Sequence, residues 1–278
     1  MQPRVMGVLN VTPDSFSDGG RYLDAERALA HGLEMARCGA DVVDVGGESS
    51  RPGAEPVSER EELRRVVPVV QGLSGHVRVS VDTVKRAVAE AAIDAGATLL
   101  NDISASLWRV AADAQVGWVA MHMQGAPRTM QHDPRYDDVV TEVHGFLRRR
   151  AREAIEGGVD EVWVDPGIGF GKTAAHNLAL LHHLPALVGE GLPVLVGTSR
   201  KSFLGRLASG PDGEPAGAQD RLAGSIATAT WAMLAGASMI RVHDVAGAVQ
   251  AATLVGATRI EDQFGEGSRM MTTAGGDR

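Results

Sequence analysis

The stretch VRVSVDTVKRAVAEAAIDAGATLLND, residues 77–102, holds two periodicities. Its ends, VRVSVD (77–82) and TLLND (98–102), are short runs rich in Val and Leu that close on polar residues. Runs of this kind mark strands buried on both faces, as in a parallel sheet. Between them, VKRAVAEAAIDAGA carries helical spacing and ends in Ala-Gly, a glycine helix stop. A strand, a helix and a second strand follow each other with hardly a loop between them.

The unit recurs along the chain. VMGVLN (5–10), DVVDV (41–45), GWVAMH (117–122), EVWVD (161–165), PVLVGTS (193–199) and SMIRVHD (238–244) are further apolar runs with polar ends. AERALAHGLEMARCGA, REELRRVVPVVQGL and DRLAGSIATATWAMLAGA have helical spacing. Pro68 interrupts the second of these and predicts a kink or a late helix start. Eight strand–helix units in about 250 residues predict a single-domain α/β fold, a (β/α)8 TIM barrel, with a doubly wound open sheet as the alternative. The barrel is expected over residues 1–257, and the tail 258–278, which has no apolar period, is expected to fray.

Composition narrows the partners. The 278 residues carry a net charge of −8, which argues against a broad nucleic-acid surface. It leaves room for a small anionic ligand held by a few local cations. The single cysteine, Cys38, rules out an internal disulfide and points to a reducing compartment. It stands at a helix end and reads as a packed thiol rather than a nucleophile. No apolar run approaches the ~20 residues of a membrane span. The N-terminus has no charged leader followed by an apolar stretch, so the expected location is the cytoplasm.

The segment VDPGIGFGKT (164–173) ends like a phosphate loop, but Pro166 stands where that motif needs its first glycine. Its glycines also miss the spacing of a dinucleotide fingerprint. In a (β/α)8 barrel the chemistry sits at the carboxyl ends of the strands. Those ends supply Asn10, Asp44, Asp82, Asn101 with Asp102, Met121 with His122, Asp165, Ser199 to Lys201, and Arg241 with His243. Any one of them can be a cap or a strand-end hydrogen bond. As a set they suit a polar, planar, partly anionic ligand: acids and amides read ring donors and acceptors, and cations take phosphate. Two long loops, NVTPDSFSDGGRY (10–22) and VGGESSRPGAEP (45–56), are rich in Gly, Pro, Ser and Asp and read as lids or binding loops. The histidines form no zinc-type spacing, whereas a magnesium ion needs few protein ligands if phosphates supply the rest. No Ser-His-Asp or Cys-His arrangement is legible, so covalent catalysis is not expected.

GVLNVTPDSFSDGG, DVGGESSRPGA, VSVDT, NDIS, MHMQGAPRTMQ, DPGIGFGKTAAHN, VGTSRKSFLG and RVHDV, in this order from about residue 5 to 256, resemble the dihydropteroate synthase family. The resemblance implies a (β/α)8 barrel, commonly a homodimer. It implies that 6-hydroxymethyl-7,8-dihydropterin pyrophosphate is joined to p-aminobenzoate, with magnesium assisting. Carried over by position, it puts a pterin pocket on Asp82, Asn101, Ile103, Met121, Asp165, Phe170, Gly197, Lys201 and Arg241. It puts p-aminobenzoate on Phe16, Ser50, Arg51, Pro52, Phe170, Lys201 and Ser202, and pyrophosphate on Asn10, Arg241 and His243, with Asn10 also the magnesium ligand. The catalytic set becomes Asp18, Arg51, Lys201, Arg241 and His243.

In this reading Asp165 accepts from the pterin's N–H edge, Phe170 is an apolar wall, and Gly167, Gly169 and Gly171 let the backbone pass close to a flat ring. Lys172 reads equally well as solvent-facing or as part of the site. Two departures from the family stand out. Ser50 replaces a common threonine, and SASLWRVAADAQ is shorter than usual and lacks an acidic-proline helix start. Neither removes a chemical group. A catalytically silent pterin-binding paralogue and a pterin-dependent methyltransferase stay open as alternatives, although SRPGA and SRKSF argue against the second. A Schiff-base aldolase needs a lysine inside a strand, and Lys201 follows its strand.

Overall fold

A computed structural model describes residues 2–12, 21–49, 53, 55–209 and 213–264, with the backbone alone described at 21–24 and 258–264. Phe16, Asp18, Ser50, Arg51 and Pro52 lie outside the described residues. The strands are β1 Arg4–Asn10, β2 Val42–Gly46, β3 Arg78–Asp82, β4 Leu99–Asp102, β5 Gly117–Met121, β6 Val162–Asp165, β7 Leu195–Val196 and β8 Met239–Val242. The helices are α1 Arg21–Arg37, α2 Glu59–Leu73, α3 Arg86–Asp94, α4 Trp108–Ala114, α5 Val139–Glu156, α6 Ala174–His182, α7 Leu184–Val188, α8 Ser202–Leu207, α9 Leu222–Leu234 and α10 Val245–Phe264.

The strands form one parallel sheet in the order β6-β5-β4-β3-β2-β1-β8-β7. A single bridge, Val164 to Val194, joins its two edges and closes the barrel, with Val164 N donating to Pro193 O at 3.1 Å. The expected (β/α)8 barrel is therefore the observed fold. Each apolar run contains a strand, but only two residues of PVLVGTS pair as β7. Pro193 has no N–H to give to a ladder, which delays pairing at that end.

Pro68 does not cause a late start. Helix α2 begins at Glu59, where Ser58 Oγ caps Glu61 N at 3.3 Å, and runs through the proline. Pro68 is on the exposed side, so the carbonyl its ring deprives of a partner can meet water. Helix α10 runs to Phe264, so the boundary drawn at residue 257 falls inside a helix. No helix among the described residues is long and apolar enough to cross a membrane.

Valines, leucines and alanines fill the space between strands and helices. A second cluster, Met6, Val42, Leu99, Val119, Trp163, Leu195 and Met239, packs inside the barrel. Burying each of its larger side chains contributes about 1.5–3 kcal/mol. This inner layer is the floor on which the site stands.

Candidate active site

Side chains alternate along a strand, so the residue two beyond each floor residue points inward one layer nearer the mouth. Counting on from Val42, Leu99, Val119, Trp163, Leu195 and Met239 gives Asp44, Asn101, Met121, Asp165, Gly197 and Arg241. Asp82 joins this layer, in register with Gly46 on one side and Asn101 on the other. With Val8, two beyond Met6 on β1, the layer has eight residues, and five of them are polar or charged at the depth where a barrel interior is normally apolar.

Arg241 sits at the centre. Its Nε donates to Asp44 Oδ2 at 2.6 Å and a terminal nitrogen to Asp82 Oδ2 at 2.8 Å. Asn101 Nδ2 donates to the same Asp44 oxygen at 2.9 Å. Asp44 is fully buried, and its Oδ1 has no partner among the described residues. Burial pushes Asp82 up to about 7, against the pull of Arg241 and with the charge of Asp44 adding to the rise. Burial works to lower Arg241, but Asp44 and Asp82 outweigh it and leave the guanidinium above its ordinary value. Asp44 belongs to the site although it was assigned no ligand role above. Its alternation phase with Val42 is the signal that would have found it.

Asp165 and Lys201 are brought together by the loop after β6. Asp165 is buried, and its Oδ1 accepts from Gly167 N at 2.7 Å. Burial raises its pKa, with the Lys201 charge the main opposing influence. Lys201 Nζ donates to the carbonyl of Ile168 and lies 4.5 Å over the Phe170 ring. Burial pulls this ammonium down to about 8, with Asp165 opposing. A Cβ at Gly197 would stand 3.6 Å from Arg241 Cβ and 4.0 Å from Lys201 Nζ, so the glycine leaves the space between two cations open. Ile103 and Met121 are buried and apolar. Beside Asp82 and Ile103 opens a cavity of about 370 Å³, walled further by Thr83, Met123 and Pro127.

The remaining candidates stand at the rim. His243 Nδ1 is 3.0 Å from Ser199 Oγ, which also accepts from His243 N at 3.2 Å, so the imidazole is oriented from behind. Asn10 ends β1 beside Gly46, where a Cβ would be 3.8 Å from Asn10 Oδ1. Ser202 is exposed at the start of α8.

Two strand-end residues turn away from the mouth. Asp102 accepts from Ser104 N at 2.9 Å, from Ser106 N and Leu107 N at 2.7 Å each, and from Trp118 Nε1 at 3.2 Å. It shapes the turn into α4. His122 packs edge-on against Phe146 at 5.0 Å, and burial, followed by the Lys172 charge, holds it neutral at about 3.

The glycine loop also differs from the sequence reading. Gly167, Gly169 and Gly171 have φ of 66°, 84° and 61°, the left-handed region that side chains resist. A Cβ at Gly167 would run into the carbonyl oxygen of His122, and one at Gly171 into that of Gln124. These two glycines serve the approach of the loop to the segment after β5, not clearance for a ring. Only Gly169 faces the site, where a Cβ would meet Lys201 Cδ at 2.8 Å. Lys172 is fully buried, which overturns the solvent-facing reading.

A model of the pterin binding enzymes matches residues 6–243. The dihydropteroate synthase of Mycobacterium leprae (strain TN) is 47% identical over 264 residues, covering 91% of this chain and 93% of the relative. A solved Xanthomonas albilineans dihydropteroate synthase with 4-aminobenzoic acid superposes at a TM-score of 0.85, with 47% identity over 93% of each chain. The same organism's enzyme in complex with 7,8-dihydropteroate gives 0.81, at 45% identity over 93% of this chain and 94% of that one. A family match across the barrel and this identity over nine-tenths of the length leave one conclusion: the chain belongs to the pterin binding enzymes, among the dihydropteroate synthases.

Proposed function

We infer that the chain is the transferase that joins 6-hydroxymethyl-7,8-dihydropterin pyrophosphate to p-aminobenzoate, giving 7,8-dihydropteroate and pyrophosphate. The observation that carries this reading is the buried layer that sets the Asp165 carboxylate beside the Lys201 and Arg241 cations. An acid there accepts from ring N–H groups, an amide such as Asn101 gives and accepts, and two cations face the electron-rich side of a bicyclic heterocycle.

Asp82, Asn101, Ile103, Met121, Asp165, Phe170, Gly197, Lys201 and Arg241 form the proposed pterin pocket. Arg241 and the oriented His243 draw charge from the departing pyrophosphate. Asn10 offers a hard amide oxygen at the rim. No three His, Cys, Asp or Glu side chains converge among the described residues, so a magnesium ion here would rely on Asn10 and on oxygens the pyrophosphate brings. Bound in that way, magnesium neutralises pyrophosphate charge.

The amine of p-aminobenzoate is uncharged at neutral pH and already nucleophilic. The protein therefore needs no strong base, only alignment and exclusion of water. Phe170, Lys201 and Ser202 are proposed to meet p-aminobenzoate from the described side. Phe16, Ser50, Arg51, Pro52 and Asp18 are assigned from the family resemblance. A cytoplasmic homodimer completes the reading. For the dimer, Leu222, Trp231 and Leu234 of α9 are exposed at 48%, 40% and 63%, and Leu254 of α10 at 70%. Exposed large apolar side chains on two helices that pack together are consistent with an association surface.

The test is turnover with both substrates, following pyrophosphate and dihydropteroate together. Product is expected in equal amounts of each, with loss of rate when magnesium is chelated. Pterin binding without turnover would instead mark a binding protein.

A further inference from the structure

We propose that Lys172 is a positioning residue for the pterin pocket, an internal hydrogen-bond donor that fixes Asp165, Phe170 and Lys201 relative to one another. The proposal rests on the reading of that pocket given above. Lys172 has no exposed surface and so cannot touch a ligand. Its Nζ lies 3.0 Å from His122 Nδ1, 3.0 Å from Gly167 O and 3.0 Å from Phe170 O, with His122 O at 3.3 Å. An ammonium has three N–H bonds, and here three acceptors at equal distance surround it. The neutral state of His122 leaves its Nδ1 able to accept.

These acceptors come from three places that matter to the site. His122 follows β5, whose last residue is Met121. Gly167 donates its N–H to Asp165. Phe170 lies under Lys201, and Ile168, between the two, accepts from the Lys201 ammonium. One buried donor thus ties both limbs of the loop to the neighbouring strand. Burial draws Lys172 down to about 7, with the Asp165 carboxylate opposing and the Lys201 charge adding to the fall. Protonated, Nζ gives three hydrogen bonds, and as the neutral amine it still gives two, so the tether rests on the arranged acceptors in either state. The loop has other anchors: Gly169 N donates to Asn177 Oδ1 at 2.7 Å, and Tyr136 Oη donates to Gly171 O at 2.9 Å. Losing Lys172 therefore loosens the geometry of the loop without releasing it.

The experiment compares wild type, Lys172→Met, Tyr136→Phe, Asp165→Asn and the Lys172→Met/Asp165→Asn double variant in the full chain. Steady-state constants for both substrates, calorimetric binding of 6-hydroxymethylpterin, and melting temperature are measured on each. Lys172→Met is expected to weaken the pterin, in KM and Kd, by at least about tenfold while the KM for p-aminobenzoate moves less than about threefold. Tyr136→Phe, which cuts another anchor of the same loop, is expected to leave pterin binding within about threefold of wild type. In the cycle, the double variant is expected to lose less than the product of the two single losses, because part of the effect of Lys172 runs through Asp165 and the rest through Phe170 and Lys201. If Lys172→Met does not fold, His122→Leu removes the imidazole acceptor and keeps the three carbonyls, and the same non-additivity with Asp165→Asn is expected. A lowered melting temperature with unchanged pterin Kd, or losses that multiply in the cycle, would overturn the proposal and leave the pocket assignment standing. Failure of wild type to bind 6-hydroxymethylpterin overturns the proposal and the pocket assignment together.

Discussion

Asp165 is the residue on which the proposed pocket turns. One of its oxygens is engaged by Gly167 N, which leaves the other for a ligand's donor edge. Asp165→Asn places an NH2 against donors in a buried site, and the expected loss is ~2–4 kcal/mol in pterin binding or kcat/KM. Near-normal kcat/KM would remove Asp165 from the pocket. Lys201→Met keeps length and loses charge, and is expected to cost pterin affinity more than folding. Its pH signature has a definite sign. The folded protein holds Lys201 at about 8, below the ordinary 10.5, so between these values the unfolded chain binds the extra proton. Wild-type stability measured against Lys201→Met is expected to rise from about pH 8 to about pH 10. A flat or falling difference in urea-unfolding midpoints would show that burial does not act on this group. The placement of Asn101, Asp165 and Arg241 at the mouth of the barrel was legible in sequence because each stands near a strand end. Asp102 and His122 were not separable from Asn101 and Met121, because one residue of strand is enough to turn a side chain from the barrel interior to its outside. Lys172 was illegible because its direction depends on three left-handed glycines and on a carbonyl from the segment after β5.

At the scale of elements, the loop after β6 is the least tolerant part of the site. Gly167→Ala combines a φ of 66° with a Cβ that meets the His122 carbonyl. The expected cost is more than about 2 kcal/mol of stability, together with loss of pterin affinity. Gly191→Ala is the control, since its φ of 89° is equally left-handed but a Cβ there meets nothing within 4 Å. Equal urea midpoints for the two variants would mean that backbone strain alone sets the cost. The strands and most helices could be read from the chain because parallel strands buried on both faces leave unmistakable apolar runs. The extent of β7 could not, since its pairing depends on where Pro193 meets β6. Nor could the continuity of α2, because the sequence gives no hint that Pro68 faces water.

For the whole molecule, the α9 surface carries the expectation of a dimer. Leu234→Glu puts a charge on the exposed side of α9 and is expected to yield a folded monomer by sedimentation equilibrium. A wild type that sediments as a monomer at micromolar concentration would end the homodimer reading. Barrel closure was expected from the count of strand–helix units, but its joint was hidden: no residue pattern says which pair of strands is held least. That joint has a consequence for ligands. Elsewhere neighbouring strands share a ladder, while between β6 and β7 there is one bridge. The barrel is a hoop with a clasp, and the pocket straddles it, with Asp165 on the β6 side and Gly197, Lys201 and Arg241 on the other. A molecule gripped from both sides would fasten the hoop as it binds, and so double as part of the frame that holds it.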